Sequence, residues 1–267
     1  MSEHELGIIG SGNMAQAIVR GVAVSGFVPP ARIVASDVAA DQRQRIAELD
    51  VTAVEDNAIP AACPRVLLAV KPQVMKAIVQ SLAANVPLGT TVISIAAGIK
   101  TASLDQWLGG RGRIIRVMPN TPVFVGEGMS AVAAGPRATE QDLQWTEKLF
   151  ASCGRTVRVG EELMDAVTAV SGSGPAYLFY LVEAMIASGV AEGLSPDTAR
   201  LLACQACLGA SKLLMESGEA PESLRARVTS PNGTTQRAIE TMDSAGVKDA
   251  MVRAFRAAAA RSRELGQ

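Results

Sequence analysis

Val228-Thr229-Ser230-Pro231-Asn232-Gly233-Thr234-Thr235 leads into a helix-like stretch at 236–242, and these residue types suit the capture of a small anion. Thr229 or Ser230 can cap such a helix, and Pro231 fits the first helical position, where no N–H is needed. The N–H groups of Asn232, Gly233, Thr234 and Thr235 would then leave the helix start without internal partners. Free N–H groups at the positive end of the helix dipole favour a carboxylate or phosphate. Gly233 admits a ligand close to the backbone, and the two threonine hydroxyls add directional bonds. An ordinary capped helix start uses the same residues, so the segment alone leaves both readings open.

A second constellation opens the chain. Gly7-Ile8-Ile9-Gly10-Ser11-Gly12-Asn13-Met14-Ala15 places a G-x-G-x-x-A turn after an apolar run and at the opening of a helical pattern. Gly10 suits a tight turn, Gly12 lets a pyrophosphate approach, and Ala15 lets the helix pack against a sheet. Asp37, after Ala35-Ser36, is placed to accept the ribose hydroxyls of NADH and to repel the 2′-phosphate of NADPH; the other reading is a solvated turn residue. Arg43 and Arg45 follow it in the helical register. Ala69-Val70-Lys71-Pro72 and Ala96-Ala97-Gly98 close two further apolar runs, at the edge a nicotinamide would cross. Lys71 reads there as a site residue or as a surface lysine.

Several chemistries are excluded. The only histidine, His4, precedes the first strand, which rules out histidine triads, histidine-dependent 2-hydroxy-acid dehydrogenases and most zinc enzymes. Cys63, Cys153, Cys204 and Cys207 are sparse, as in a reducing cytoplasm. Cys204 and Cys207 lie within a helical pattern without a second cysteine pair, so they read as a buried face of small residues and no metal site is expected. The net charge of −1 gives no footprint for nucleic acid, and no basic run addresses a membrane. The N-terminus does not read as a signal peptide.

These residues need elements to hold them. The 267 residues, 48% hydrophobic and 19% charged, are globular in composition and sufficient for two domains of about 100–150 residues. Over residues 1–160, the runs 6–9, 32–36, 65–70, 91–96 and 114–118 read as buried parallel strands. Amphipathic helical segments such as 14–24 and 73–86 separate them, and 129–134 and 155–159 read as outer strands flanking a helix at 140–153. The class is α/β: a Rossmann-like doubly wound sheet with its ligand at the strand C-termini. Over 161–267 the pattern is helical throughout, at 161–170, 175–190, 196–215, 221–227, 231–242 and 247–263. The helix at 176–190 is apolar nearly all round, yet it is short for a membrane span and carries Glu183. Such a helix must be buried, and a domain of about 100 residues has little interior, so a subunit interface is expected to cover it.

Gly10-Ser11-Gly12-Asn13-Met14-Ala15, Ala69-Val70-Lys71-Pro72, Ser94-Ile95-Ala96-Ala97-Gly98, Arg116-Val117-Met118-Pro119-Asn120-Thr121-Pro122, Ser171-Gly172-Ser173-Gly174-Pro175-Ala176-Tyr177 and the segment from Leu224 to Thr235 together resemble the pyrroline-5-carboxylate reductase family. The resemblance spans essentially the whole chain, and its last two segments are the most specific. It implies reduction of 1-pyrroline-5-carboxylate to L-proline by NADPH or NADH, the last step of proline biosynthesis. It implies a cytoplasmic homodimer built through a C-terminal helical dimerisation domain, with rings of dimers in the family. The expected cofactor contacts are Ile9, Gly10, Ser11, Gly12, Asn13, Met14, Asp37, Ala69, Val70, Lys71, Pro72, Ala96, Ala97 and Gly98, and the resemblance adds Asn57 in the adenosine region. The substrate contacts it implies are Glu161, Ser230, Gly233, Thr234 and Thr235, with Thr235 near the ring nitrogen. A hydroxyl is a poor acid, so Thr235 is expected to orient the substrate or relay a proton from water.

The chain departs from the family pattern at three places. Asn232 stands where relatives often have glycine, Ala220 where many have histidine, and Asp37 where NADPH-using relatives carry a small hydroxyl residue. Two alternatives accompany the family reading. A β-hydroxyacid dehydrogenase-type oxidoreductase needs a proton-donating lysine, and only Lys212 and Lys248 occur in the second half. A non-catalytic nucleotide-binding regulator needs no second anion site.

Overall fold

The computed structural model describes residues 3–266. Eight strands, β1 (Leu6–Ile9), β2 (Ile33–Ser36), β3 (Thr52–Val54), β4 (Arg65–Leu68), β5 (Thr90–Ser94), β6 (Gly112–Met118), β7 (Gly128–Ala134) and β8 (Gly154–Arg158), are interleaved with helices. These are α1 (Asn13–Ser25), α2 (Ala40–Ala47), α3 (Ala58–Ala61), α4 (Pro72–Leu82), α5 (Thr101–Trp107) and α6 (Glu140–Ala151). The strands form one sheet in the order β3-β2-β1-β4-β5-β6-β7-β8. Neighbours are parallel except β6 and β7. The winding direction reverses between β1 and β4, where a doubly wound sheet receives its ligand.

Alternation along the strands distributes the core. Ile8, Leu67, Ile93 and Ile115 face one layer with Ile18 and Val22 of α1 and Phe150 of α6. Ile9, Val66, Leu68, Val92 and Ile114 face the other, with Met75 and Val79 of α4 and Leu104 of α5. Both faces are covered, so the strands read as nearly continuous apolar runs. Asp142, buried at the start of α6, accepts bonds from Thr91, Thr139 and Arg113. Burial pushes its pKa up, but the bonds from Arg113, Thr139 and Thr91 outweigh that and hold the carboxyl well below the usual carboxylate range.

The remaining helices are α7 (Met164–Val167), α8 (Gly174–Ala191), α9 (Pro196–Ser217), α10 (Pro221–Arg227), α11 (Thr234–Ser244) and α12 (Val247–Leu265). Packing divides the chain into two units: one runs to Ser173 and includes the chain from Ala258 onward, and the other is Gly174–Ala257. The expected boundary after residue 160 differs from this division. Met164 is buried against Ala131 and Ala133, and the Ser262 hydroxyl donates to Asp165 Oδ1 at 2.6 Å, which ties both flanking segments to the sheet. The stretch expected as one helix at 161–170 is a 3-10 turn (Glu161–Leu163), the short α7 and a π-type turn (Thr168–Gly172).

Helix α8 has 18 residues and none is buried within the chain. The stretch Glu161–Ala191, which holds these turns, α7 and α8 in succession, is 31 residues long and apolar enough by length and composition to cross a bilayer. Cys204 is exposed rather than buried on its helix face, and Cys207 packs its sulfur 4.0 Å from that of Met185.

Candidate active site

The chain turns sharply at the end of β1. Gly10 has φ +95°, and a Cβ there would lie 2.9 Å from the Ala69 carbonyl, so only glycine lets the ends of β1 and β4 meet. Gly12 is the N-cap of α1 without a side-chain cap bond, and a Cβ on it would meet nothing within 4 Å. The first N–H groups of α1 therefore have an open approach that fits a pyrophosphate. Ser11 is buried; its N–H donates to Asp37 Oδ2 at 2.8 Å and its hydroxyl to the Ser36 carbonyl at 3.2 Å.

Asp37 is half-buried and ties two turns together, because its Oδ1 also accepts the Ala39 N–H at 2.9 Å. The bond to Ala39, two residues on, is that of an Asx turn, and the bond to Ser11 places the carboxylate beside the turn at the end of β1. Arg43 donates to the carbonyls of Asp37 and Val38 at 2.8 and 3.1 Å and lies 3.5 Å from Glu55. Arg45 pairs instead with Asp41 one turn back, at 4.0 Å. Asn57 Oδ1 accepts the Ser36 hydroxyl at 2.6 Å. Ile9, Gly10, Ser11, Gly12, Asn13 and Met14 thus share one end of the sheet with Asp37 and Asn57.

Ala69 extends the ladder beyond β4 by donating its N–H to the Ile9 carbonyl at 2.8 Å. Val70 is half-buried; Lys71 is exposed, N-caps α4 ahead of Pro72, and has no ion pair among the described residues. Strand β5 stops at Ser94, earlier than expected, so Ala96, Ala97 and Gly98 form a turn rather than a strand end, with φ +79° at Gly98.

The anion loop in the second unit starts its helix later than the sequence suggested. Gly233, not Thr229 or Ser230, is the N-cap, and α11 begins at Thr234. Asn232 has φ +58°, which breaks the path from Pro231 into the helix. Asparagine tolerates this left-handed conformation better than most side chains. The Gly233 N–H bonds the Ser230 carbonyl at 3.0 Å and the Asn232 N–H bonds Gln236 Oε1 at 2.7 Å. Those two donors are occupied, and Thr234 and Thr235 supply the first N–H groups of α11. A Cβ on Gly233 would lie 2.4 Å from Ser230 Oγ, so glycine is what lets that hydroxyl lie against the helix start.

Glu161 has a different setting from the one the resemblance gave it. Its Oε1 accepts the Thr101 N–H at 2.7 Å and its Oε2 the Thr101 hydroxyl at 2.6 Å, while Arg116 lies 3.5 Å from Oε1. Thr101 and Arg116 are therefore the partners of Glu161 within the protein. Thr101 and Arg116 were missed as its partners. The signal was present, since an arginine between Ile115 and Val117 in a buried strand demands a carboxylate nearby. Asn120 was not singled out either: it accepts the Met129 N–H at 2.8 Å and donates to Ser171, joining two of the family-specific segments.

Comparison with known proteins agrees with this geometry. Residues 161–265 match the family model described as pyrroline-5-carboxylate reductase dimerisation, and residues 5–98 match that described as NADP oxidoreductase, coenzyme F420-dependent. A pyrroline-5-carboxylate reductase of Pseudomonas aeruginosa is 43% identical over 100% of this chain and 98% of its own. The solved structure of a pyrroline-5-carboxylate reductase from Coxiella burnetii is 33% identical and superimposes with a TM-score of 0.91 over the whole of both chains. That of Plasmodium falciparum pyrroline carboxylate reductase, with NADP bound, is 27% identical with a TM-score of 0.90, again over both whole chains. Identity at this level from end to end, through both the turn at Gly10 and the loop at Gly233, admits one conclusion: the chain belongs to the pyrroline-5-carboxylate reductase family.

Proposed function

We propose that this protein reduces 1-pyrroline-5-carboxylate to L-proline at the expense of NAD(P)H, the closing step of proline biosynthesis. Family membership over the full length carries the reading. The substrate is a cyclic imine bearing one carboxylate. The N–H groups of Thr234 and Thr235, with the Ser230 hydroxyl, hold that carboxylate at the positive end of α11, and Gly233 keeps the approach open. Thr235 Oγ1 bonds the ring nitrogen and orients the C=N bond or passes it a proton from water. Bound NAD(P)H supplies the hydride. The turn from Ile9 to Met14 holds the pyrophosphate, Asp37 and Asn57 the adenosine end, and Ala69, Val70, Lys71, Pro72, Ala96, Ala97 and Gly98 the nicotinamide side. Most of the rate comes from holding donor and acceptor carbons in a near-attack arrangement.

The working unit is a homodimer formed through the dimerisation segment, and a ring of dimers is its larger assembly. Cys153, Cys204 and Cys207 form no disulfide, in keeping with a cytoplasmic setting. Lys212 is exposed and pairs with Glu216 at 3.8 Å, so it is not arranged as the proton donor of a hydroxyacid dehydrogenase.

A single assay tests the reading. Adding pyrroline-5-carboxylate should oxidise NADPH or NADH, whereas 2-keto and 3-keto acids should not. Oxidation with a keto acid alone would move the chain to the hydroxyacid dehydrogenases, and cofactor binding without turnover of any substrate would make it a regulator.

A further inference from the structure

We infer that Glu161 is a positioning residue for the nicotinamide-side turn, acting through Thr101 and locked in place by the buried Arg116. The inference rests on the reading of Ala96, Ala97 and Gly98 as cofactor contacts, and it concerns how that turn is held. Between the end of β5 and the start of α5 the chain has no regular structure. At its upstream end the Ile95 N–H bonds the Leu68 carbonyl at 3.2 Å and the Ala96 N–H bonds Ser94 Oγ at 3.3 Å. The downstream anchor is Thr101, the first residue of α5. Lys100, the N-cap, offers no side-chain bond, so the orphan N–H of Thr101 depends on Glu161. That bond and the one from the Thr101 hydroxyl run to an ionised acceptor, which makes them short and strong.

Arg116 fixes the carboxylate from the other side. It lies opposite Ser94 in the β5–β6 register, is 3% exposed, and has Glu161 as its only ion-pair partner among the described residues. Its Nη2 has no bond within the protein. A buried guanidinium so thinly satisfied cannot release its one carboxylate without a large desolvation cost. Glu161 is therefore held by Arg116 and Thr101 by Glu161, and Thr101 closes the downstream end of the segment that carries Ala96, Ala97 and Gly98, whose Gly98 also lies against Leu265 and Gly266.

The test reads cofactor binding without needing turnover. NADPH affinity is measured by titrating nicotinamide fluorescence, alongside KM values for NADPH and pyrroline-5-carboxylate and the melting temperature. Glu161→Gln keeps the shape and loses the charge; Thr101→Val keeps both charges and the N–H and loses one bond; Thr101→Ser restores the hydroxyl. Glu161→Gln should weaken NADPH about tenfold and Thr101→Val about threefold, with Thr101→Ser close to wild type. KM for pyrroline-5-carboxylate should stay within about twofold, since the effect is confined to cofactor binding. If Glu161→Gln fails to fold because Arg116 is left unpaired, the two threonine variants decide the matter. A purely structural role would lower the melting temperature and leave the dissociation constant of the folded protein unchanged, and that result overturns the inference. Wild-type protein that binds NADPH but leaves the imine unreduced would remove the proposed reaction while the binding ratios still stand as the test. Wild-type protein that binds neither cofactor would remove both.

Discussion

Thr235 stands half-buried on the first turn of α11, and its hydroxyl makes no side-chain bond among the described residues. Its removal should cost the reaction rather than the fold. Thr235→Ala is expected to lower kcat/KM by roughly one to three decades, since a bond made in the transition state is worth about 2–4 kcal/mol. NADPH affinity should not change, and a variant matching the wild type in efficiency would show that Thr235 has no part at the imine. Asp37 controls a different choice. Its carboxylate accepts the Ser11 N–H, and on the proposed cofactor placement a 2′-phosphate would meet like charge there. Asp37→Ser removes that charge and leaves Arg43 nearby, bonded to the carbonyls of residues 37 and 38 and paired with Glu55. The ratio of NADPH to NADH efficiency should rise about tenfold, from a like-charge term of roughly 1–2 kcal/mol. No movement in that ratio would mean that Asp37 does not read the ribose.

At the scale of elements, Asp142 joins the start of α6 to β5 and β6. Its folded pKa lies below that of an unfolded aspartate, near 3.9. A depressed carboxylate contributes stability that is fully present above the unfolded pKa and is lost as pH falls toward the folded one. Asp142→Asn should therefore destabilise the protein by about 2–3 kcal/mol at neutral pH, because it leaves Arg113 without its charge partner. The gap to wild type, read from urea unfolding, should narrow below about pH 4; a gap that is constant with pH would remove the charge from the explanation. The strands around this anchor were legible in sequence because both sheet faces are dry, which leaves apolar runs such as Leu6 to Ile9. Strand β3 was not, since Thr52, Ala53 and Val54 lie at the sheet edge, exposed or half-buried, and carry no apolar run. The start of α11 was misread for a backbone reason: Ser230, Pro231 and Gly233 suit a capped helix, and only the left-handed Asn232 shows that a turn intervenes. Glu161 was placed by resemblance alone: Arg116 in a buried strand called for a carboxylate, but the bonds from Glu161 to Thr101 span 60 residues, so the local pattern did not say which one.

At the scale of the whole molecule, the dominant fact is apolar surface left uncovered by a single chain. Phe179 is 59% and Leu181 49% exposed on α8, while Leu202 of α9 is 55% exposed. Burying one such side chain contributes about 1.5–3 kcal/mol, so surface of this kind favours an obligate interface over a transient one. The match of residues 161–265 to a dimerisation family says what covers it: a second copy of the same segment. A two-fold interface counts each substitution twice, because each residue occurs on both sides. Light scattering on wild-type protein should give a dimer or a multiple of it at the lowest measurable concentration, with no folded monomer. Phe179→Asp combined with Leu181→Asp would place four carboxylates in the dimer contact, and helical circular dichroism should then be lost together with the dimer mass. Uncoupling of the two signals, with a monomer that keeps its helices and melts cooperatively, would show that α8 is stable without its partner and that the interface is not obligate.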